Sequence, residues 1–175
     1  MTIFVSGVHA VGKTYLAKPA CEALGFRYAT ASQLIREERG LSSWNANKVV
    51  NDIEQNQAAL VAAVQRIKQS GLTLVLDGHF VLRKAAGIHE RLPESVFHDL
   101  GCTGTILLSA PLQVIDERLI ARGDTSWTAD ELLSFAAAEK QHAETISAAL
   151  AIPLHVMETP SLANFQQTID RLSKR

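Results

Sequence analysis

Ile3-Phe4-Val5-Ser6-Gly7-Val8-His9-Ala10-Val11-Gly12-Lys13-Thr14 joins a short apolar, β-rich run to a segment with the pattern G-x-x-x-x-G-K-[ST]. Gly7 and Gly12 allow the backbone to wrap a phosphate, and the helix that opens at the end of the pattern presents N–H groups without intrahelical partners. In such a phosphate-binding loop, or P-loop, the cradle is Gly7, Val8, His9, Ala10, Val11, Gly12, Lys13 and Thr14. Lys13 reaches the β- and γ-phosphates of ATP, and the Thr14 hydroxyl binds Mg²⁺. His9 stands at an unrestricted position of the pattern and reads as a loop residue rather than a catalyst.

Outward from this loop, apolar runs alternate with helical patterns. The runs are Ile3 to Val5, Phe26 to Ala29, Leu72 to Leu76, Thr105 to Leu108 and Leu154 to Met157. Runs that are apolar throughout suit strands covered on both faces, and helix-length spacers imply right-handed crossovers. The expected fold is therefore a three-layer α/β P-loop NTPase fold, with a parallel sheet of about five strands flanked by helices. Residues 1–175 read as one domain, with a helical acceptor insert at about 31–70 and a short lid at about 119–128. In the insert, a first helix is expected from Ala31 to Arg39 and a second from about Ala46 to Ser70. The second puts Val50, Ile53, Gln57, Leu60, Val64 and Ile67 on one stripe, with Gln57 its only polar member. Thr128 to about Leu150 reads as another long helix, and Pro160-Ser161 opens a last one to about Ser173. Pro19 removes a backbone donor inside the first helix, where a kink or early end is expected.

Composition narrows the function classes. The chain has 175 residues, 47% hydrophobic and 20% charged, which excludes a disordered tail and allows one hydrophobic core without staples. Seventeen basic against eighteen acidic side chains give a net charge of -1, without the basic excess of a general nucleic-acid binder. Cys21 and Cys102 form neither a disulfide framework nor a metal-ligand pair and read as core thiols in a reducing compartment. No apolar run is long enough to span a bilayer, and the N-terminus lacks the marks of a leader, so a cytoplasmic protein is expected. A helicase or transporter motor would need a longer chain.

The second half of a nucleotide site is an acidic residue at the tip of a strand beside the first. Asp77 ends the third run, where it holds the Mg²⁺ water shell or orients the acceptor as a catalytic residue, or else starts a turn with Gly78. His79 either contacts an acceptor phosphate or packs in the interior. Phosphoryl transfer also needs cations around the acceptor and the migrating group, a role arginine fills through its fixed fork of donors. Arg36, Arg83, Arg118 and Arg122 all flank loops at the expected C-terminal edge of the sheet, Arg118 and Arg122 sharing a helix face at i, i+4.

This order of parts resembles the small P-loop nucleoside monophosphate kinases, and among them the archaeal-type adenylate kinases. The resemblance rests on Gly7 to Thr14, on Ala31-Ser32-Gln33-Leu34-Ile35-Arg36, on Asp77-Gly78-His79-Phe80-Val81-Leu82-Arg83, and on Leu92-Pro93. The chain departs from the family at the lid, where Arg122-Gly123-Asp124-Thr125-Ser126-Trp127 has Trp127 in place of an arginine, and between Arg36 and Gln57.

Motif and resemblance together imply an ATP-dependent kinase of a small phosphate acceptor, with a nucleoside or deoxynucleoside monophosphate as the leading acceptor and ATP and Mg²⁺ as cofactors. Lys13, Arg118 and Arg122 would serve the migrating phosphoryl group, and Thr14 and Asp77 the metal. Arg36, Arg83 and His79 would face the acceptor phosphate. Asn56 or Gln57 would read the base, the alternative for Gln57 being a hydrogen bond within the protein. Two rivals stand beside this reading: an ATP-dependent switch or slow ATPase acting through a protein partner, and a kinase of a non-nucleotide metabolite. No nucleic acid or membrane partner is expected, and a homo-oligomer is left open. Of the two tryptophans, Trp44 falls in the insert and Trp127 in the lid.

Overall fold

Strand β1 (Thr2–Ser6) is buried at every position, and so is β3 (Leu74–Asp77), as strands covered on both faces must be. The computed structural model, which describes residues 1–40 and 52–174, sets them side by side. With β2 (Arg27–Thr30), β6 (Cys102–Ser109) and β7 (Leu154–Glu158) they form a sheet in the order β2-β3-β1-β6-β7, every pair parallel. Each crossover carries at least one helix, namely α1 (Lys13–Leu24), α2 (Ala31–Arg39) with α3 (Ile53–Gln69), α4 (Glu94–Asp99), and α5 (Leu112–Ala121) with α6 (Ala129–Ala149). The terminal helix α7 (Leu162–Leu172) packs on α1, while α4 lies against α3 and α6. The three-layer parallel α/β fold expected from the apolar runs is the fold observed.

Since β1 lies between β3 and β6, the chain leaves it at the middle of the sheet's C-terminal edge. Register puts Val5 beside Asp77 and Ser6 beside Leu107. The loop after β1 is thereby brought next to the acidic end of β3. Below it the core is fixed by Phe4, whose ring meets Phe80 and Phe97 edge-on at centroid distances of 4.9 and 5.3 Å.

Several details differ from the sequence reading. Helix α1 runs through Pro19 to Gly25, a left-handed C-cap whose N–H donates to the Cys21 carbonyl. One missing donor is tolerated there because Leu16, Ala17, Ala20 and Cys21 are all buried and hold the helix by packing. In α3 the buried stripe is Asn56, Ala59, Leu60, Ala63 and Val64, so the polar residue at its centre is Asn56 and not Gln57. The start of the expected helix, from Ala46, and Trp44 lie outside the described residues. An antiparallel hairpin of β4 (Val81–Ala85) and β5 (Ile88–Arg91) follows β3, unannounced because the inward position Arg83 interrupts its apolar alternation. Arg122, expected to share a helix face with Arg118, is the first residue beyond α5, which stops at Ala121.

Burial sets an expected contrast in stability. Phe165 on α7 is fully buried, and Phe165→Ala should cost about 3–5 kcal/mol in denaturant unfolding. Val156 on the edge strand β7 is 51% exposed, and Val156→Ala should stay within about 0.5 kcal/mol.

Candidate active site

The loop between β1 and α1 is shaped by its glycines. Gly7 has φ +137°, and a Cβ there would run into the Leu108 carbonyl at the end of β6. Gly12, at φ +113°, caps α1 in a left-handed conformation without a side-chain hydrogen bond to the first turn. Val8 and Val11 are buried and anchor the loop between those points. Lys13 folds back over it: its ammonium donates to the Gly7 carbonyl at 2.6 Å and to Val8 O at 3.3 Å. Arg118 reaches the same loop from α5, Nη1 donating to Ala10 O at 3.3 Å and Val11 O at 3.0 Å. Two cations thus hold the loop's carbonyls.

Asp77 closes the other side. Its carboxylate is 3.9 Å from Lys13 Nζ, accepts from the Thr14 hydroxyl at 3.4 Å, and accepts from the Tyr28 hydroxyl at 3.0 Å. Burial pushes the Asp77 carboxyl above the usual carboxylate range, while Lys13, Tyr28 and Thr14 pull it the other way. Burial and the neighbouring Asp77 likewise raise Tyr28, which also lies 3.1 Å from Thr14 Oγ1. Sequence reasoning misses Tyr28, because a tyrosine in a short strand carries no signal of its own. Among the described residues no three His, Cys, Asp or Glu side chains converge as a metal site. A hydroxyl beside one carboxylate is nonetheless the hard-oxygen donor set that suits Mg²⁺, which keeps water and takes phosphate oxygens as its other ligands.

In front of this cluster lies a cavity of about 470 Å³ that reaches Arg36, Asn56, Gln57, His79, Arg83 and Arg122. The acceptor-side residues are differently disposed. Arg36 is half-buried, with Nε 3.4 Å from its own helix's Ser32 carbonyl. Asn56 is 2% exposed and accepts from Arg39, which also donates to Gln55 at 3.1 Å, so it ties α2 to α3. The Gln57 carboxamide oxygen is buried without a hydrogen-bond partner among the described residues.

Arg83 is a correction. Its guanidinium is buried in a bidentate pair with Glu131 at 2.7 and 2.9 Å, donates to Ser126, and lies 4.1 Å over the Trp127 ring. The fork expected to clamp an acceptor phosphate is instead filled by a carboxylate, which Arg83 in turn holds below its ordinary pKa. Trp127 is 7% exposed and packs against Phe135 and His9. His9 packs against His79 with ring centroids 4.5 Å apart and planes tilted by 37°, so the unrestricted position of the loop pattern has a packing role.

The most deeply buried acid is Glu139 of α6, 1% exposed. It accepts from Phe80 N at 3.0 Å, Val81 N at 2.8 Å and Gly7 N at 3.4 Å, and lies 3.3 Å from His79 Nδ1. Burial raises its carboxyl to about 7 against the opposing pull of Lys13 and those N–H groups. Its signal in the sequence is an acid at steps of three and four within the stripe Leu132, Phe135, Glu139, His142, Ala143 and Ile146.

Comparison with known proteins sets this geometry in a family. Residues 6–133 match the family model described as AAA domain. A protein of Thermococcus onnurineus (strain NA1) named "Putative adenylate kinase" is 31% identical over 123 residues, which are 70% of this chain and 56% of that protein. The chain thus spans about half the length of the curated relative it matches. Among solved structures, shikimate kinase from Bacteroides thetaiotaomicron superposes with a TM-score of 0.60 at 14% identity, over 100% of this chain and 99% of that one. Shikimate kinase from Acinetobacter baumannii, in complex with shikimate, gives 0.61 at 11% identity over 99% and 92%. A gluconokinase from Sinorhizobium meliloti 1021 gives 0.52 at 15% over 99% and 91%. These likenesses are of fold.

The Arg83 pair yields an expected outcome. Arg83→Ala leaves Glu131 buried without its partner, which should cost about 3–5 kcal/mol in unfolding. In a Trp44→Phe background, the emission of Trp127 should shift to the red as the ring loses its cover. An unchanged stability and spectrum would show the pair to be incidental.

Proposed function

The chain belongs to the AAA-domain family, and on that basis we propose that it is an ATP-dependent kinase of a small acceptor. The observation that carries this reading is a pair of cavities meeting at one loop. The first is the cavity in front of Asp77, and the second, of about 410 Å³, is lined by Leu108, Ser109, Arg118, Thr159 and Pro160. Ala10, Val11, Gly12, Tyr15 and Arg122 line both. A donor nucleotide whose base occupies the second cavity and whose phosphates lie on the loop would present its terminal phosphoryl group to an acceptor in the first. Bringing two substrates together in line across a positively charged junction is most of what phosphoryl transfer requires.

The residues have separable tasks. Lys13 would exchange its contacts with the Gly7 and Val8 carbonyls for phosphate oxygens, neutralising charge on the migrating group. Arg122, just past α5, lines the junction, and Arg118 lines the second cavity beside it. Thr14 and Asp77 would hold Mg²⁺, which when bound adds positive charge at the β- and γ-phosphates. Arg36 would bind the acceptor's anionic group. Gln57, with a buried carboxamide oxygen that needs a donor, supports an acceptor bearing an N–H or O–H group there, as a nucleoside monophosphate does. With Arg83 committed to Glu131, the acceptor side is poorer in available guanidinium than the sequence implied. That favours an acceptor with a single anionic group, and it keeps a non-nucleotide metabolite as the second reading.

A screen of nucleoside monophosphates and small hydroxy acids for acceptor-dependent ADP formation decides between them. Release of free phosphate without a phosphorylated acceptor would instead mark an ATPase. Lys13→Ala should abolish most turnover while leaving the far-ultraviolet circular dichroism unchanged. Arg36→Ala should remove a charge-assisted contact of about 1.5–3 kcal/mol, raising the acceptor's KM or lowering turnover by about 10- to 150-fold, with ATP affinity within a few-fold. An effect of Arg36→Ala on ATP alone would refute its place on the acceptor side.

A further inference from the structure

Three backbone donors leave the sheet at the C-terminal edge of β1 and β3. They are the N–H of Gly7, where the phosphate loop begins, and those of Phe80 and Val81, just beyond Asp77. Gly7 and Phe80 lie beyond the ends of β1 and β3, Val81 opens β4, and an unmatched buried N–H is costly. All three are satisfied by the one Glu139 carboxylate, Oε1 serving Gly7 and Oε2 serving Phe80 and Val81. The helix that supplies it begins directly after the 122–128 loop and carries a second buried acid, Glu131, two turns earlier. Glu131 accepts from Gly87 N and Arg83, so the same helix holds the hairpin at its tip by one acid and at its root by the other.

Resting on the kinase reading above, we propose that Glu139 is a positioning residue of the phosphoryl-transfer site. From α6 it fixes the start of the loop that carries Lys13 at a set distance from the strand end that carries Asp77. The bond arrangement explains why an acid is suited to the place. A carboxylate can accept from both sides at once, whereas an apolar side chain of the same volume would strand all three donors. When ionised, it places a negative charge behind the loop, a form that Lys13 favours and burial opposes. A shift of about 1 Å between groups that must align for transfer is enough to cost about 100-fold in rate.

Glu139→Gln separates positioning from simple support. The amide oxygen can keep the bonds from Phe80 and Val81, while the NH₂ then meets the Gly7 N–H donor to donor, so the change falls on the oxygen that serves Gly7 and neighbours His79 Nδ1. In the full chain, with Mg²⁺ and the fluorescent analogue mant-ATP as probe, the variant should bind about 10-fold more weakly, with a thermal midpoint within a few degrees of the parent. In ¹⁵N-labelled protein the Gly7 amide resonance should move while those of Phe80 and Val81 hold. A folded variant with parental affinity and an unmoved Gly7 resonance would overturn the proposal, as would a lowered midpoint with unchanged affinity. If the variant does not fold, the parent protein decides. On adding Mg²⁺ and mant-ATP, the Gly7 amide and the Glu139 side-chain carboxyl ¹³C resonance should shift together, and a shift of Gly7 alone would overturn it. Parent protein that binds no mant-ATP would bring down the kinase reading and this proposal with it, whereas failure of the variant arm with a parent that binds would remove only the proposal.

Discussion

The exit of β1 is the constraint on which the site depends. The chain must pass so close to the Leu108 carbonyl that no side chain fits at Gly7, and it must then turn back through a second left-handed glycine into α1. That geometry follows from the sheet order: with β3 on one side and β6 on the other, the loop emerges at a point flanked by two strand ends. One of these ends in Asp77, and the other lies below the second cavity. Lys13, Thr14 and Asp77 meet because the strands that carry them, or immediately precede them, are neighbours in register.

Around that exit the structure sets unusual amounts of buried polarity. Glu139, Glu131, Arg83, Asn56, Asp77 and Lys13 are all under 9% exposed. Burying charge costs several kcal/mol per ion unless hydrogen bonds and opposite charge offset it, so such groups are expected where geometry matters more than stability. Here they serve two purposes. Arg83 with Glu131 locks the β4–β5 hairpin, the 122–128 loop and the start of α6 into one unit, whereas Asp77 and Lys13 face the cavity. Arginine alone does not identify a phosphate site; the question is whether its fork is already occupied.

The aromatic and histidine rings above the loop form the link between these two sets. His9 packs against His79 and Trp127, and Phe135 of α6 meets all three. The segment that ends in Trp127 is therefore packed against the phosphate loop itself. The Trp127 indole contributes packing there and a face for Arg83.

Sheet, helix order and phosphate loop are all legible in the chain before it folds, because each is written in contiguous residues: apolar runs, three- and four-residue periodicity, and a glycine-lysine pattern whose backbone demands are local. Asp77 is legible for the same reason, as the polar end of an apolar strand. The hairpin is not, since its inward position is the charged Arg83, whose partner lies 48 residues away. Glu139 is hidden in an alanine-rich helical stretch, and the three donors it serves lie 58, 59 and 132 residues distant in the chain. Which arginine is open to a ligand, and which buried acid holds the loop, emerges in three dimensions alone. Hydrogen-bond partnership between side chains is fixed by where separate elements come to rest, and no local pattern encodes that distance.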